Sequence, residues 1–128
     1  MRSIASHATW LMGALALIAA TTAAQAQGDA AIGEKRFEDC AACHTTMRGD
    51  NGVGPSLFGV VDRKAGALDD FRYSPAMKRS GITWTAKTLD EFLADPQKLV
   101  PANRMPYAGM PDARERADLI AYLQKVAK

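Results

Sequence analysis

The run Cys40-Ala41-Ala42-Cys43-His44 constrains this 128-residue chain more tightly than any other segment. Two thiols three residues apart sit within one turn of a helix, with an imidazole directly behind the second. Thiols so spaced can add to the two vinyl groups of one haem as thioethers, and the histidine that follows then lies under the iron. The pattern reads as c-type haem attachment. Two plainer chemistries compete for the same residues. A redox-active dithiol is expected beside a βαβ pattern, and strand-like alternation is confined here to Gly59-Val60-Val61. A structural zinc ion needs four ligands, usually Cys or His. Past residue 26 only Cys40, Cys43 and His44 are of those types, because His7 lies upstream.

The start of the chain predicts export. Arg2 supplies a positive charge, Trp10 to Ala20 is an apolar run, and Ala24-Gln25-Ala26 is a small-x-small cleavage signature. Together they describe a secretory signal peptide spanning residues 1–26. A membrane-spanning reading fails on length: eleven residues rise only about 16 Å as a helix, against a hydrocarbon core of about 30 Å. The folded domain is therefore expected at 27–128, and no stable membrane insertion after cleavage. Covalent haem attachment is completed outside the bacterial cytoplasm, which suits a periplasmic destination. Of sixteen Lys and Arg only Arg2 is in the leader, so fifteen basic residues face fourteen acidic ones with no run of either sign. That distribution argues against a nucleic-acid partner and against a polybasic membrane tether.

Helix signals dominate the remainder. Asp29 can cap a first helix carrying Ile32, Gly33 and Phe37 on one face and ending near the cysteines. Ser74-Pro75 opens a short helix that Gly81 ends. Thr85 can cap a third, with Leu89, Phe92 and Leu93 as its apolar stripe, ending before Pro96. Asp112 with Glu115 resembles a capping box, and Leu119, Tyr122, Leu123 and Val126 recur behind it at helical spacing. Between these elements lie two long loops rich in Gly and Pro, 49–66 and 96–111. Loops of that length in a compact domain are usually functional, and an apolar cofactor would supply the interior that so small a helical chain lacks.

The second axial ligand to iron must come from another residue type. No other histidine remains past the leader, and thioether sulfur is the alternative. Met47 is too close to His44 to reach the opposite haem face with ease. Met77 lies in the short helix, where core packing is its ordinary task. Met105 sits in Pro101-Ala102-Asn103-Arg104-Met105-Pro106, where the prolines stiffen the backbone. Met110, also before a proline, is the reserve candidate.

At this point the chain resembles the class I c-type cytochromes, mitochondrial cytochrome c and its bacterial periplasmic relatives, over nearly all of Gly28–Lys128. The resemblance rests on Cys40–His44, Gly54-Pro55-Ser56-Leu57-Phe58-Gly59, Arg63-Lys64-Ala65-Gly66, Phe71-Arg72-Tyr73-Ser74, Ile82-Thr83-Trp84, Pro101–Met105 and Asp118–Leu123, in that order. It implies an all-α fold, helices around one covalently attached haem c held through Cys40 and Cys43. It places Met105 at the position of the axial methionine opposite His44. It places Pro55 where a carbonyl orients the proximal histidine, and Arg63, Tyr73 and Trp84 around the haem propionates. Gly33 and Phe37 fall where the first helix crosses the last near Leu119 and Tyr122.

The implied function is one-electron transfer by a monomer, not enzyme catalysis. Its partners would be a reductase or dehydrogenase donor and an oxidase or reductase acceptor. The rival, a haem enzyme or gas sensor with an open sixth position, would want a distal acid or base that the sequence does not supply as histidine. Two departures from the family pattern bear on the pocket: Phe92 stands where a tyrosine often bonds the ligand sulfur or a nearby water, and Met77 replaces an asparagine. Both predict a drier interior. A third lies on the surface, where Asp39, Gln97, Pro111 and Asp112 interrupt the family's lysine ring while Lys98 and Arg104 remain basic.

Overall fold

The computed structural model describes residues 27–126; the predicted leader lies outside them. Five helices follow in chain order: α1 (Ala30–Ala41), α2 (Pro75–Arg79), α3 (Ala86–Ala94), α4 (Pro96–Leu99) and α5 (Ala113–Val126). No strand occurs among the described residues; a single antiparallel bridge joins Lys64 to Thr83. The fold is all-α.

Side chains read as caps do cap. Asp29 accepts from the amides of Ala31 and Ile32 at 2.8 and 3.3 Å, Ser74 from Met77, and Thr85 forms a reciprocal box with Thr88. Asp112 accepts from Arg114 and Glu115 at 2.7 and 3.0 Å. Each satisfies amides that the first helical turn leaves without partners.

Helices α1 and α5 cross in close contact. Gly33 makes this possible: a Cβ there would lie 1.9 Å from the Asp118 carbonyl oxygen and 2.8 Å from Tyr122 Cβ. Phe37 then tilts onto Tyr122 with ring centroids 5.4 Å apart. Ile32 departs from expectation. It is 43 % exposed, so the buried face of α1 is Gly33 and Phe37 alone. Asp118 is buried in the crossing and accepts from the Asp29 amide at 2.6 Å, tying the start of α1 to α5.

Helix α4 was not anticipated, since Pro96 reads as a stop after α3. It is also a start. Asp95 accepts from the Lys98 amide at 3.1 Å, and Pro96 occupies the first helical position, where its missing N–H costs nothing. The loop expected over 96–111 therefore begins with a turn of helix. The long segment between α1 and α2 stays irregular and is pinned at its far end. Asp62 and Ala65 donate to the carbonyls of Trp84 and Ile82, and Trp84 donates to that of Arg63, at 2.8–2.9 Å. These bonds bring Trp84 beside Arg63.

Candidate cofactor site

A cavity of about 400 Å³ opens among the described residues, with walls drawn from α1, α2, α3, α5 and the segments between them. Its lining is mostly apolar: Phe37, Leu57, Val60, Trp84, Leu89, Phe92, Leu93, Leu119 and Leu123 all contribute. Polar groups are few and concentrated, as in sites that bury a large apolar ligand and orient it. Cys40, Cys43, His44, Pro55, Arg63, Tyr73, Trp84 and Met105 all border this one cavity, so residues separated by 65 positions in sequence meet there.

The cysteines lie at and just beyond the end of α1, neither in a disulfide. Burial, reinforced by Asp39 and Cys43, raises the Cys40 thiol above its ordinary pKa and keeps it protonated. Behind them the His44 ring lies against Gly54: a Cβ at Gly54 would stand 2.4 Å from the ring. His44 Nδ1 is 2.7 Å from the Pro55 carbonyl oxygen. A carbonyl can only accept, so Nδ1 carries the proton and Nε2 keeps a free lone pair. An imidazole fixed in this way is dressed as a metal ligand.

Of the four methionines among the described residues, two border the cavity and two do not. Met47 is 67 % exposed, and Met110 is buried in the core, its amide bonded to the Leu93 carbonyl at 2.7 Å. Met77 borders the cavity from α2 and packs on the core. Met105 borders it from the segment after α4, where its amide donates to Asn103 Oδ1 at 2.9 Å. Arg104 next to it donates to the Tyr73 carbonyl at 2.6 Å, fastening this segment to the one before α2.

The polar end of the cavity centres on Arg63. Its two terminal nitrogens donate to the carbonyls of Phe58 and Ser56 at 2.8 and 2.9 Å. Its Nε is buried with no protein partner. Burial lowers the Arg63 pKa and raises that of Tyr73, while each group's charge partly offsets the other's shift. A guanidinium stays protonated regardless, so an orphaned donor here fits an anionic group such as a propionate. Trp84, against Phe92 with centroids 4.9 Å apart, completes the wall. The donor set, the orphan Nε and the apolar walls all fit a haem.

Sequence reasoning passed over Asn103, Tyr107 and Arg116. Tyr107 borders the cavity. Arg116 bonds Asp90 on α3 at 2.7 Å and the carbonyls of Met110 and Pro111 at 2.8 Å. Neither Asn103 nor Arg116 stands out by periodicity, because most of their partners are backbone carbonyls of the stretch 96–111.

A family described as "Cytochrome c" matches residues 30–127. Cytochrome c2 of Rhodopila globiformis is 47 % identical over 98 residues, covering 76 % of this chain and 92 % of its own. Cytochrome c of Tetrahymena pyriformis is 50 % identical over 101 residues, covering 78 % and 91 %. The structure of cytochrome cH from Methylobacterium extorquens superposes with a TM-score of 0.73 at 48 % identity, covering 77 % of this chain and 99 % of that one. The chain belongs to the cytochrome c family. It has the class I all-α fold, and as a cytochrome c it binds haem c, with Cys40 and Cys43 in the attachment motif. Members of this family are monohaem electron carriers that work by contact with redox partners.

Proposed function

We propose that this cytochrome c is a periplasmic one-electron carrier whose single haem is ligated by His44 and Met105, and that it catalyses no reaction of its own. The observation that carries the reading is the pairing of a fixed imidazole, His44 held by the Pro55 carbonyl, with a thioether, Met105, on the walls of one cavity. The leader at residues 1–26 supports export, with cleavage after Ala26 and a mature protein at 27–128. Among the described residues no helix is long and apolar enough to cross a membrane.

When bound, the haem supplies an iron that cycles between ferric and ferrous states, and histidine–methionine ligation favours a comparatively high potential. The chain's residues do the rest. Cys40 and Cys43 hold the ring by thioethers. The Pro55 carbonyl accepts a hydrogen bond from His44 Nδ1–H and leaves Nε2 free to bind. Met105 would present a neutral sulfur to the iron and so deny that place to substrates. Arg63, with Tyr73 and Trp84, receives the propionates. Phe92, Leu93 and Leu89 exclude water from the interior, and a dry, rigid surround keeps reorganisation small as the charge changes. Electrons pass at the mouth of the cavity to a donor such as a dehydrogenase or reductase and an acceptor such as an oxidase, with the protein a monomer.

The test is the visible spectrum of the exported protein after acid–acetone extraction. We expect the haem to stay with the protein and the ferric form to show the weak far-red band of sulfur-bound iron. That band should vanish in Met105→Ala and persist in Met77→Leu. N-terminal sequencing should begin at Gln27. A wild-type protein that is high-spin and binds carbon monoxide readily would instead be an enzyme or sensor with an open sixth position.

A further inference from the structure

We propose that Gln97 and Asn103 are positioning residues that close the 96–105 segment on itself, and so set how rarely Met105 leaves the iron. The proposal rests on the Met105 ligation argued above. It starts from Asn103, which is only 6 % exposed. Its side-chain nitrogen donates to the carbonyls of Pro96 and Val100, both at 2.9 Å. Its side-chain oxygen accepts the Met105 amide at 2.9 Å. Both ends of the Asn103 amide are thus engaged by the ends and middle of a single short segment. It faces the segment and leaves the cofactor to other groups: Asn103 does not border the cavity.

Gln97 closes the same ring from outside. Its side-chain nitrogen donates to the Asn103 carbonyl at 3.0 Å, and its oxygen accepts the Ala102 amide at 3.1 Å. Ala102 needs such help. Its φ of 64° lies in the left-handed region, which a residue with a Cβ seldom adopts and which costs free energy unless the surroundings enforce it. Helix α4 has four residues, too few to persist without outside support. The conformation that carries Met105 into the cavity is therefore maintained by two amide side chains, one buried and one exposed. An ordinary solvated glutamine or an ordinary buried asparagine would affect stability alone. A brace of this kind also governs the rate at which the segment opens.

Imidazole can take the sixth position of the ferric holoprotein only after Met105 has left, so its saturating binding rate reads release directly. A hydrogen bond contributes a net ~1 kcal/mol, and about 1.4 kcal/mol is tenfold in an equilibrium. Removing two bonds with Gln97→Ala should therefore raise that rate roughly tenfold or more. Asn103→Ala should raise it further. Asn103→Asp, which keeps the acceptor for Met105 but loses both donors, should fall between wild type and Asn103→Ala. Hydrogen exchange at the Ala102 amide should quicken in Gln97→Ala, and the far-red band should persist at neutral pH in that variant. Gln97 is exposed, so its variant carries the test even if the Asn103 variants fail to fold. Faster exchange at Ala102 with an unchanged imidazole rate would overturn the proposal, leaving Gln97 as scaffold only. An imidazole rate no faster in Met105→Ala than in wild type would instead sink the ligation reading, and the brace with it.

Discussion

Gly33 sits where a single carbon atom sets helix spacing, and its substitution pits two effects against each other. Alanine is the better helix former, by about 1 kcal/mol at an interior position. Against that, the new Cβ would stand 1.9 Å from a backbone carbonyl of α5, which no rotamer change can relieve. Overpacking typically costs about 1–3 kcal/mol, and here the obstruction is main chain, so sterics should win. Gly33→Ala is expected to lower the stability of the holoprotein by about 2 kcal/mol in denaturant titrations with little change in its spectrum. An unchanged midpoint would mean that α1 and α5 can part freely. The residue scale is also where sequence reasoning ran out. Met105 and Met110 share the same local context, a methionine before proline, yet one borders the cavity and the other is core. Only the path of the chain between α4 and α5 separates them. Asn103 and Gln97 left no trace in periodicity because their partners are carbonyls and amides of an irregular segment. The attachment run was legible because its chemistry is written in consecutive residues.

At the scale of elements, capping explains most of what could be read in advance. Asp29, Ser74, Thr85 and Asp112 each stand before a helix and bond its first amides. Helix α4 escapes such a reading because Pro96 also marks the end of α3, although Asp95-Pro96 repeats the logic of Ser74-Pro75. The cap of α5 predicts a pH dependence. Bonds from the Glu115 and Arg114 amides hold the Asp112 carboxyl below the usual carboxylate range. A depressed folded-state pKa means that the ionised group stabilises the fold above that range, and that this contribution disappears as pH falls through the lowered value. Asp112→Asn should thus be less stable than wild type near neutrality, with the gap closing in acid. Denaturation midpoints against pH would show it, and a gap that ignores pH would count against the charge as its source. The same end of α5 carries Arg116, whose bonds to Asp90 and to the Met110 and Pro111 carbonyls fix where the segment after Met105 rejoins the core.

At the scale of the molecule, the near balance of fifteen basic and fourteen acidic residues past residue 26 bears on how partners are met. Around the cavity Asp39 stands against Arg63, Arg72 and Arg104, so the site is only modestly positive and keeps an acidic residue beside the attachment turn. Long-range steering grows with charge asymmetry and is screened by salt. The bimolecular electron-transfer rate should therefore fall only gently as ionic strength rises; a steep fall would reveal a strongly charged docking face. The architecture was legible as a class from helix signals and family resemblance. The cavity's polar end is approached only through the resemblance, which points to Arg63, Tyr73 and Trp84; the carbonyls of Ser56 and Phe58 that hold Arg63 are encoded by no side-chain pattern. The closeness of α1 and α5 reaches back to how the protein is made. Among the described residues the first helix finds its buried partner in the last, and even its capping residue waits for the carboxylate of Asp118. Folding from the N-terminus outward, the usual order during synthesis, has nothing here to fold against. The domain must stay loose until α5 is available to α1, with its cysteines accessible throughout that interval.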